Sequence, residues 1–362
     1  MAIDPRISKQ ADILINQSLK VKKGERVLIE SDILAKPLVL ELYKKLIQKG
    51  AAEVRINFGS ERFSDSFREI FFKYSSPTQR KTFPKISMYE IKNVDCWFGI
   101  WAPENLKTLS SVNSKFILER AKVVKPISNW RVEKTRWCLS IFPTQSLAQE
   151  ANMSLVNYEN FVFSSINNVN WNLLKVGQQK IKRLLDKTKI VKVVNKDTNL
   201  VFDIEGRKAK SCFGEANMPD GEVFTSVKEN SVNGFITFSY PCIFMGREFE
   251  NVRLEFKNGK VIKANSSENE KDLNRVLDTD SGVRYIGEFG IGNNYQIKEF
   301  TKEILFDEKI GGTIHLALGQ GYKETLSKNK SSIHWDMICD LRSGGALSFD
   351  DKLVQLGGKW KI

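Results

Sequence analysis

Two histidines, His315 and His334, are the only imidazoles in this chain of 362 residues. Each sits in an apolar, strand-like stretch. The first reads Gly-Gly-Thr-Ile-His315-Leu-Ala-Leu-Gly-Gln-Gly-Tyr322 and the second Ser-Ser-Ile-His334-Trp-Asp336-Met-Ile. Side chains two apart on a strand share a face, so His334 and Asp336 point the same way. An imidazole beside a carboxylate suits zinc, cobalt or manganese. Taken alone the pair more often reads as a structural hydrogen bond, and a single histidine in an apolar strand is more often a core residue.

The conjunction with two other stretches changes the balance. Met-Pro-Asp-Gly-Glu222-Val-Phe-Thr and Tyr-Ile-Gly-Glu288-Phe-Gly-Ile-Gly each set a glutamate beside a glycine in an apolar strand. A buried carboxylate without a partner is costly, and a divalent cation is one such partner. Two glutamates, two histidines and an aspartate can surround two metal ions, which in two-metal sites lie ~3.5–4 Å apart.

These four stretches, in this order, resemble the signature blocks of the M29 metallopeptidases, the family of the aminopeptidase T and AmpS-type enzymes. The intervening Gly-Arg-Glu-Phe-Glu-Asn-Val-Arg-Leu-Glu-Phe-Lys-Asn-Gly-Lys is similar as well, and Lys-Lys-Gly-Glu-Arg-Val-Leu-Ile near the start more loosely so. The resemblance implies metal ligands at Glu222, Glu288, His315, His334 and Asp336, with Tyr322 beside them. It implies two divalent metal ions (zinc, cobalt or manganese), peptide substrates with a free N-terminus, cleavage of the N-terminal peptide bond, and a homodimer. Glu288 and Tyr322 are the expected catalytic residues. Either Glu222 or Glu288 would bridge the metals or act as base, and the Tyr322 hydroxyl would face the developing oxyanion. The chain departs from the family pattern at Asn293-Asn294-Tyr295, where Thr-Asn-Pro is more usual, and at Val227-Lys228, where a proline is common.

Other patterns carry less. Gly287, Gly290 and Gly292 lack the order of a dinucleotide fingerprint. Gly311-Gly312 lacks the Gly-Lys-Ser/Thr of a phosphate loop, and no Gly-x-Ser-x-Gly elbow exists. Cys339 reads as a buried structural thiol. Arg247 and Arg253 are expected to pair with Glu248 and Glu250.

The elements that must position these residues fall into two halves. Ile7 to Leu19 has near-helical apolar spacing, then Arg26–Glu30 reads as a buried strand. Leu34–Gln48 is an amphipathic helix closed by Gly50, and Ala52–Asn57 a second strand. Helices follow at Phe63–Tyr74 and Pro84–Lys92, strands at Asp95–Trp101 and Arg136–Phe142, and a mostly helical stretch at Leu147–Lys187. This alternation predicts an α/β N-terminal domain with a mainly parallel sheet over residues 1–188. From Ile190 the texture turns to short strands. Leu254–Lys263 alternates around Asn258-Gly259, a hairpin signal. Residues 189–362 are thus expected to form an α+β, β-rich catalytic domain, with a short helix at Asp272–Leu277.

Composition bounds the rest. Apolar residues make up 41% and charged residues 27%, enough for sizeable cores. Met-Ala-Ile-Asp-Pro-Arg opens the sequence without a signal-peptide pattern, and no apolar run approaches the ~18 residues of a membrane span. Five scattered cysteines suggest no disulfide framework, so a cytoplasmic location is expected and no membrane partner. The net charge of +13 lies almost wholly in the first half. That admits a second reading, a nucleic-acid-binding protein, but no recognition motif accompanies the basic residues and nucleic acid is not the expected partner. A third reading is a catalytically impaired relative that keeps the ligand shell.

Overall fold

The structure, a computed structural model, describes residues 3–60, 62–244 and 246–362. The chain forms two compact units. One comprises Met1–Asn168 with Gly214–Pro219, the other Val169–Phe213 with Asp220–Ile362.

The first unit is built on a parallel sheet with strand order Glu53–Phe58, Arg26–Ser31, Cys96–Trp101, Arg136–Ile141, Asn217–Met218. The apolar run at 96–101 is buried along almost its whole length, as a central parallel strand must be. The edge strand at 53–58 is more open and alternates with polar residues. Helix Pro5–Ile13 starts where Asp4 accepts from the Arg6 amide and Pro5 needs no hydrogen-bond partner. It runs on as a wider π-helical turn over Leu14–Ser18. The longest helix, Ser114–Lys134, has no counterpart among the sequence-predicted elements. Its apolar stripe is weak, and Pro126 lies inside it.

The second unit is antiparallel. An eight-stranded sheet runs from Lys260–Asn265 at one edge to Lys359–Trp360 at the other. The hairpin Arg253–Lys257 to Lys260–Asn265 turns at Asn258 and Gly259, both at positive φ, as the Asn-Gly signal predicts. A five-stranded sheet has the order His334–Asp340, Thr313–Gly319, Ile286–Gly292, Glu222–Thr225, Lys210–Cys212. One shared apolar core joins the two sheets, with Phe202 of the larger meeting Phe289 of the smaller at 5.0 Å between ring centres. Each fully buried aliphatic or aromatic side chain there contributes about 1.5–3 kcal/mol.

The sequence places the domain boundary at 188/189, whereas the compact units divide at 168/169. Helix Trp171–Leu185 belongs to the second unit because Ile181 and Leu185 join its core. Gly214–Pro219 returns to the first because its two-residue strand extends the parallel sheet beside Arg136–Ile141. Arg247 pairs with Asp272, and Arg253 lies 3.7 Å from Glu255 and over the Phe235 ring. These partners replace the expected Glu248 and Glu250: residues next in sequence on a strand face opposite ways, while Arg253 and Glu255 share a face.

Candidate metal centre

The five-stranded sheet has two unlike faces. Strand alternation sends Val223, Phe289, Ile291, Ile314, Leu316, Leu318, Trp335, Met337 and Cys339 into the apolar core. The opposite face carries Glu222, Glu288, His315, His334 and Asp336. Pairing explains how these come together. Glu288 lies opposite Ala317, and Ala317 opposite Asp336, so two carboxylates flank a methyl group. His315 lies opposite Gly290, Glu222 opposite Gly292, and His334 opposite Gly319.

The small residues between the polar ones clear the face. A Cβ on Gly290 would sit 2.0 Å from His315 Nε2, so only glycine leaves room for that imidazole. A Cβ on Gly287 would fall 2.4 Å from the Gly319 carbonyl oxygen, where the register shifts just before Glu288. That shift is a bulge of the kind that re-aims a side chain. The glycines of the signature stretches thus serve packing around the charged groups.

The polar groups meet closely. His315 Nε2 is 3.2 Å from Glu222 Oε2 and 3.2 Å from Glu288 Oε1. His334 Nε2 is 3.3 Å from Asp336 Oδ2 and 3.9 Å from Glu288 Oε2. Glu288 therefore lies between the two histidines. His334 Nδ1 donates to the Gln320 carbonyl at 2.6 Å, which fixes the ring and aims Nε2 at the carboxylates. Tyr322 is 45% exposed, with its ring centre 5.1 Å from that of His334.

Two residues that sequence reasoning passed over belong here. Glu308 offers a carboxylate oxygen close to ligand atoms of His315 and Asp336. The fully buried Lys309 pairs with Glu308 and lies 3.8 Å from Glu222 Oε1. They follow the short helix Ile304–Asp307, outside any strand signature. The available signal was the charged run Asp307-Glu308-Lys309 between Phe306 and Ile310.

The electrostatics describe a cluster that gathers positive charge. Burial pushes the Glu222 carboxyl up, but Lys309 and His315 outweigh it, leaving it below its ordinary value. Burial raises Glu288, and it raises Glu308 to about 8. Burial works against protonated His315, yet Glu222 and Glu288 hold it well above the usual imidazole range. Asp336 likewise overcomes burial to lift His334 to about 10, and His334 holds Asp336 down. Burial and the surrounding carboxylates raise the Tyr322 hydroxyl, so it stays protonated.

Those residues fit a divalent metal. Glu222 Oε2, Glu288 Oε2, Asp336 Oδ1 and His315 Nδ1 are buried without a hydrogen-bond partner among the described residues. Ligand atoms of Glu222, Glu288 and His315 lie within 4.8 Å of one another, as do those of Glu308, His315 and Asp336. A third group, Cys212, Asp220 and Glu222, meets the same distance. Carboxylate and imidazole donors suit zinc, manganese and cobalt.

Comparison with known proteins agrees with this chemistry. The family described as "Thermophilic metalloprotease (M29)" matches residues 3–352. Aminopeptidase 2 of Geobacillus stearothermophilus is 23% identical over 368 residues, covering 91% of this chain and 86% of its own. Aminopeptidase AmpS of Bacillus subtilis is 21% identical over 367 residues, covering 92% and 88%. The solved structure of wild-type AmpT from Thermus thermophilus superposes with a TM-score of 0.87 at 20% identity, covering both chains in full, and so shares the fold. The family match spans nearly the whole chain, and this chain belongs to the M29 family of metallopeptidases.

Proposed function

We propose that this protein is a metal-dependent aminopeptidase that removes the N-terminal residue of peptides at a two-metal centre. The convergence of Glu222, Glu288, His315, His334 and Asp336 on one cleared sheet face carries the reading, because four of their buried polar atoms lack a hydrogen-bond partner among the described residues. Family membership supplies the metal and the peptide bond.

In this reading Glu222, Glu288, His315, His334 and Asp336 would hold the divalent ions, with Glu308 beside them. Such ions supply Lewis acidity toward a carbonyl and a water ionised near neutral pH. The protein's own groups do the rest. Lys309 offsets the charge of Glu222 and Glu308 in a buried site. Gln320 keeps the His334 ring in one tautomer. Tyr322 keeps its proton and can donate a hydrogen bond to the oxygen that gains charge, a contact worth roughly 3–4 kcal/mol where such donors have been removed. Glu308 would take the proton lost by the attacking water and pass it to the leaving amine.

Next to His334 and Asp336 lies a recess of about 190 Å³, walled by Phe244, Phe300, Ile304, Trp335 and Met337. We assign it to the side chain of the substrate's first residue. Its apolar walls suit a Leu or Phe side chain, while Lys302 on the rim is paired with Glu248 at 2.9 Å.

The test is hydrolysis of unblocked Leu-, Phe- and Arg-anilides with cobalt, zinc or manganese, against an N-acetylated Leu-anilide. Leu and Phe substrates should be cleaved fastest and the blocked one not at all. Equal cleavage of the blocked substrate would contradict aminopeptidase specificity.

A further inference from the structure

We propose that the α/β unit carries a separate binding site for a small apolar carboxylate, held between Arg62 and Arg131 in a cavity beneath helix Ser114–Lys134. The cavity measures about 540 Å³, within the size range of small-ligand pockets. It opens at the carboxyl ends of strands Arg26–Ser31 and Glu53–Phe58, with Glu30, Asn57 and Gly59 on its floor. Parallel α/β sheets place ligands at this end.

Arg131 is the reason to expect an anion. Its side chain is only 8% exposed, and its guanidinium lies 4.5 Å from the Trp97 ring centre. Nη2 donates to Ser128 Oγ at 3.2 Å, while Nε is buried with no partner. Among the described residues no carboxylate comes within ion-pair distance of Arg131 or Arg62. Burying a guanidinium unpaired is expensive, so the site is incomplete as it stands. Burial and the nearby Arg62 push Arg131 down to about 10, which agrees with an uncompensated charge.

The charge balance selects the ligand. Glu30 is within the field of both arginines and accepts from Trp97 Nε1 at 2.8 Å. Of the other arginines on the wall, Arg68 pairs with Asp65 at 2.7 Å, and Arg120 donates to the carbonyls of Arg80 and Thr82. Arg62 and Arg131 outnumber Glu30, so the site favours an anion. Guanidinium groups match the planar carboxylate with two parallel donors. Phe67, Phe71, Phe72, Ile117 and Ile127 line the remaining space, so the body of the ligand is apolar.

The experiment uses the full-length, metal-loaded protein. 3-Phenylpropionate, its uncharged amide and inorganic phosphate are titrated by calorimetry and by tryptophan fluorescence, since Trp97 lies under Arg131. The acid should bind saturably, with the amide and phosphate at least about tenfold weaker. Arg131→Gln should weaken the acid by more than about tenfold. Exposed Arg62→Gln, which puts the fold at little risk, should weaken it severalfold. His315→Ala should leave binding intact, because the site is distinct from the metal centre. Absence of saturable binding up to about 10 mM overturns the proposal, as does equal affinity for acid and amide. Loss of binding in His315→Ala with retention in both arginine variants would assign the carboxylate to the metals and overturn it equally.

Discussion

Two charge clusters of opposite sign can be set side by side. On the five-stranded sheet, carboxylates outnumber the fixed cation Lys309, and both histidines are drawn toward protonation. In the α/β unit, Arg62 and Arg131 outnumber Glu30, and Arg131 is pushed toward losing its proton. Each cluster has a buried centre, and each keeps buried polar atoms without a hydrogen-bond partner among the described residues. A folded protein tolerates such an imbalance only if something of opposite charge completes it. The first cluster calls for cations and the second for an anion. They also differ in construction. The carboxylate cluster is set by strand register with glycines clearing the space, so its geometry is rigid. The arginine cluster hangs on long side chains packed over tryptophan rings.

Breaking the first cluster should have the largest effect. Glu288→Ala and His334→Ala should each cost more than about 100-fold in metal-dependent turnover, beyond the loss usual for groups that merely support ligands. Circular dichroism should show the fold retained. Gly290→Ala should come next, with a loss of similar order in turnover although no ligand is removed. Its new methyl occupies the place of the His315 ring. A Gly290→Ala enzyme with wild-type kcat/KM would show that the imbalance does not depend on His315 being held there.

Smaller changes sharpen the picture. Phe300→Ala should open the recess beside Asp336 and shift the preference between Leu- and Phe-anilides, within the roughly 10–200-fold that apolar contacts allow. Asp280→Asn should have the smallest effect. Burial alone would raise Asp280, but the Ser332 amide and hydroxyl, the Gly282 amide and the Ser331 hydroxyl hold it at about 2. These bonds tie down the segment that leads into His334. A carboxylate depressed in the fold stabilises it above the unfolded pKa, ~3.9, and that contribution fades as pH falls toward 2. Asp280→Asn should thus melt below wild type at pH 7, and the gap should close at about pH 2–3.

Much of this was legible in the sequence. Rarity made the histidines visible, and period-two alternation put His334 and Asp336 on one face. Apolar runs gave the strands at 96–101 and 136–141, and Asn258-Gly259 gave its hairpin. The misses have physical causes. Helix Ser114–Lys134 mixes basic and apolar residues around Pro126, so it shows no clean stripe. Strand Asn217–Met218 is two residues long and exists only because a sheet edge awaits it. Glu308 and Lys309 reach the site from a turn, where no periodicity reports direction. The Gln320 carbonyl that orients His334 is backbone, and its residue type says nothing about it.

The most direct test of the central claim is the metal content of purified protein, measured by mass spectrometry alongside activity. The account predicts up to two divalent ions per chain in active wild type, with loss of both ions and turnover after chelation and recovery of both on adding metal back. It predicts fewer ions and no recovery in His315→Ala. Full turnover of wild type after exhaustive chelation, or wild-type metal content and turnover in His315→Ala, would contradict it.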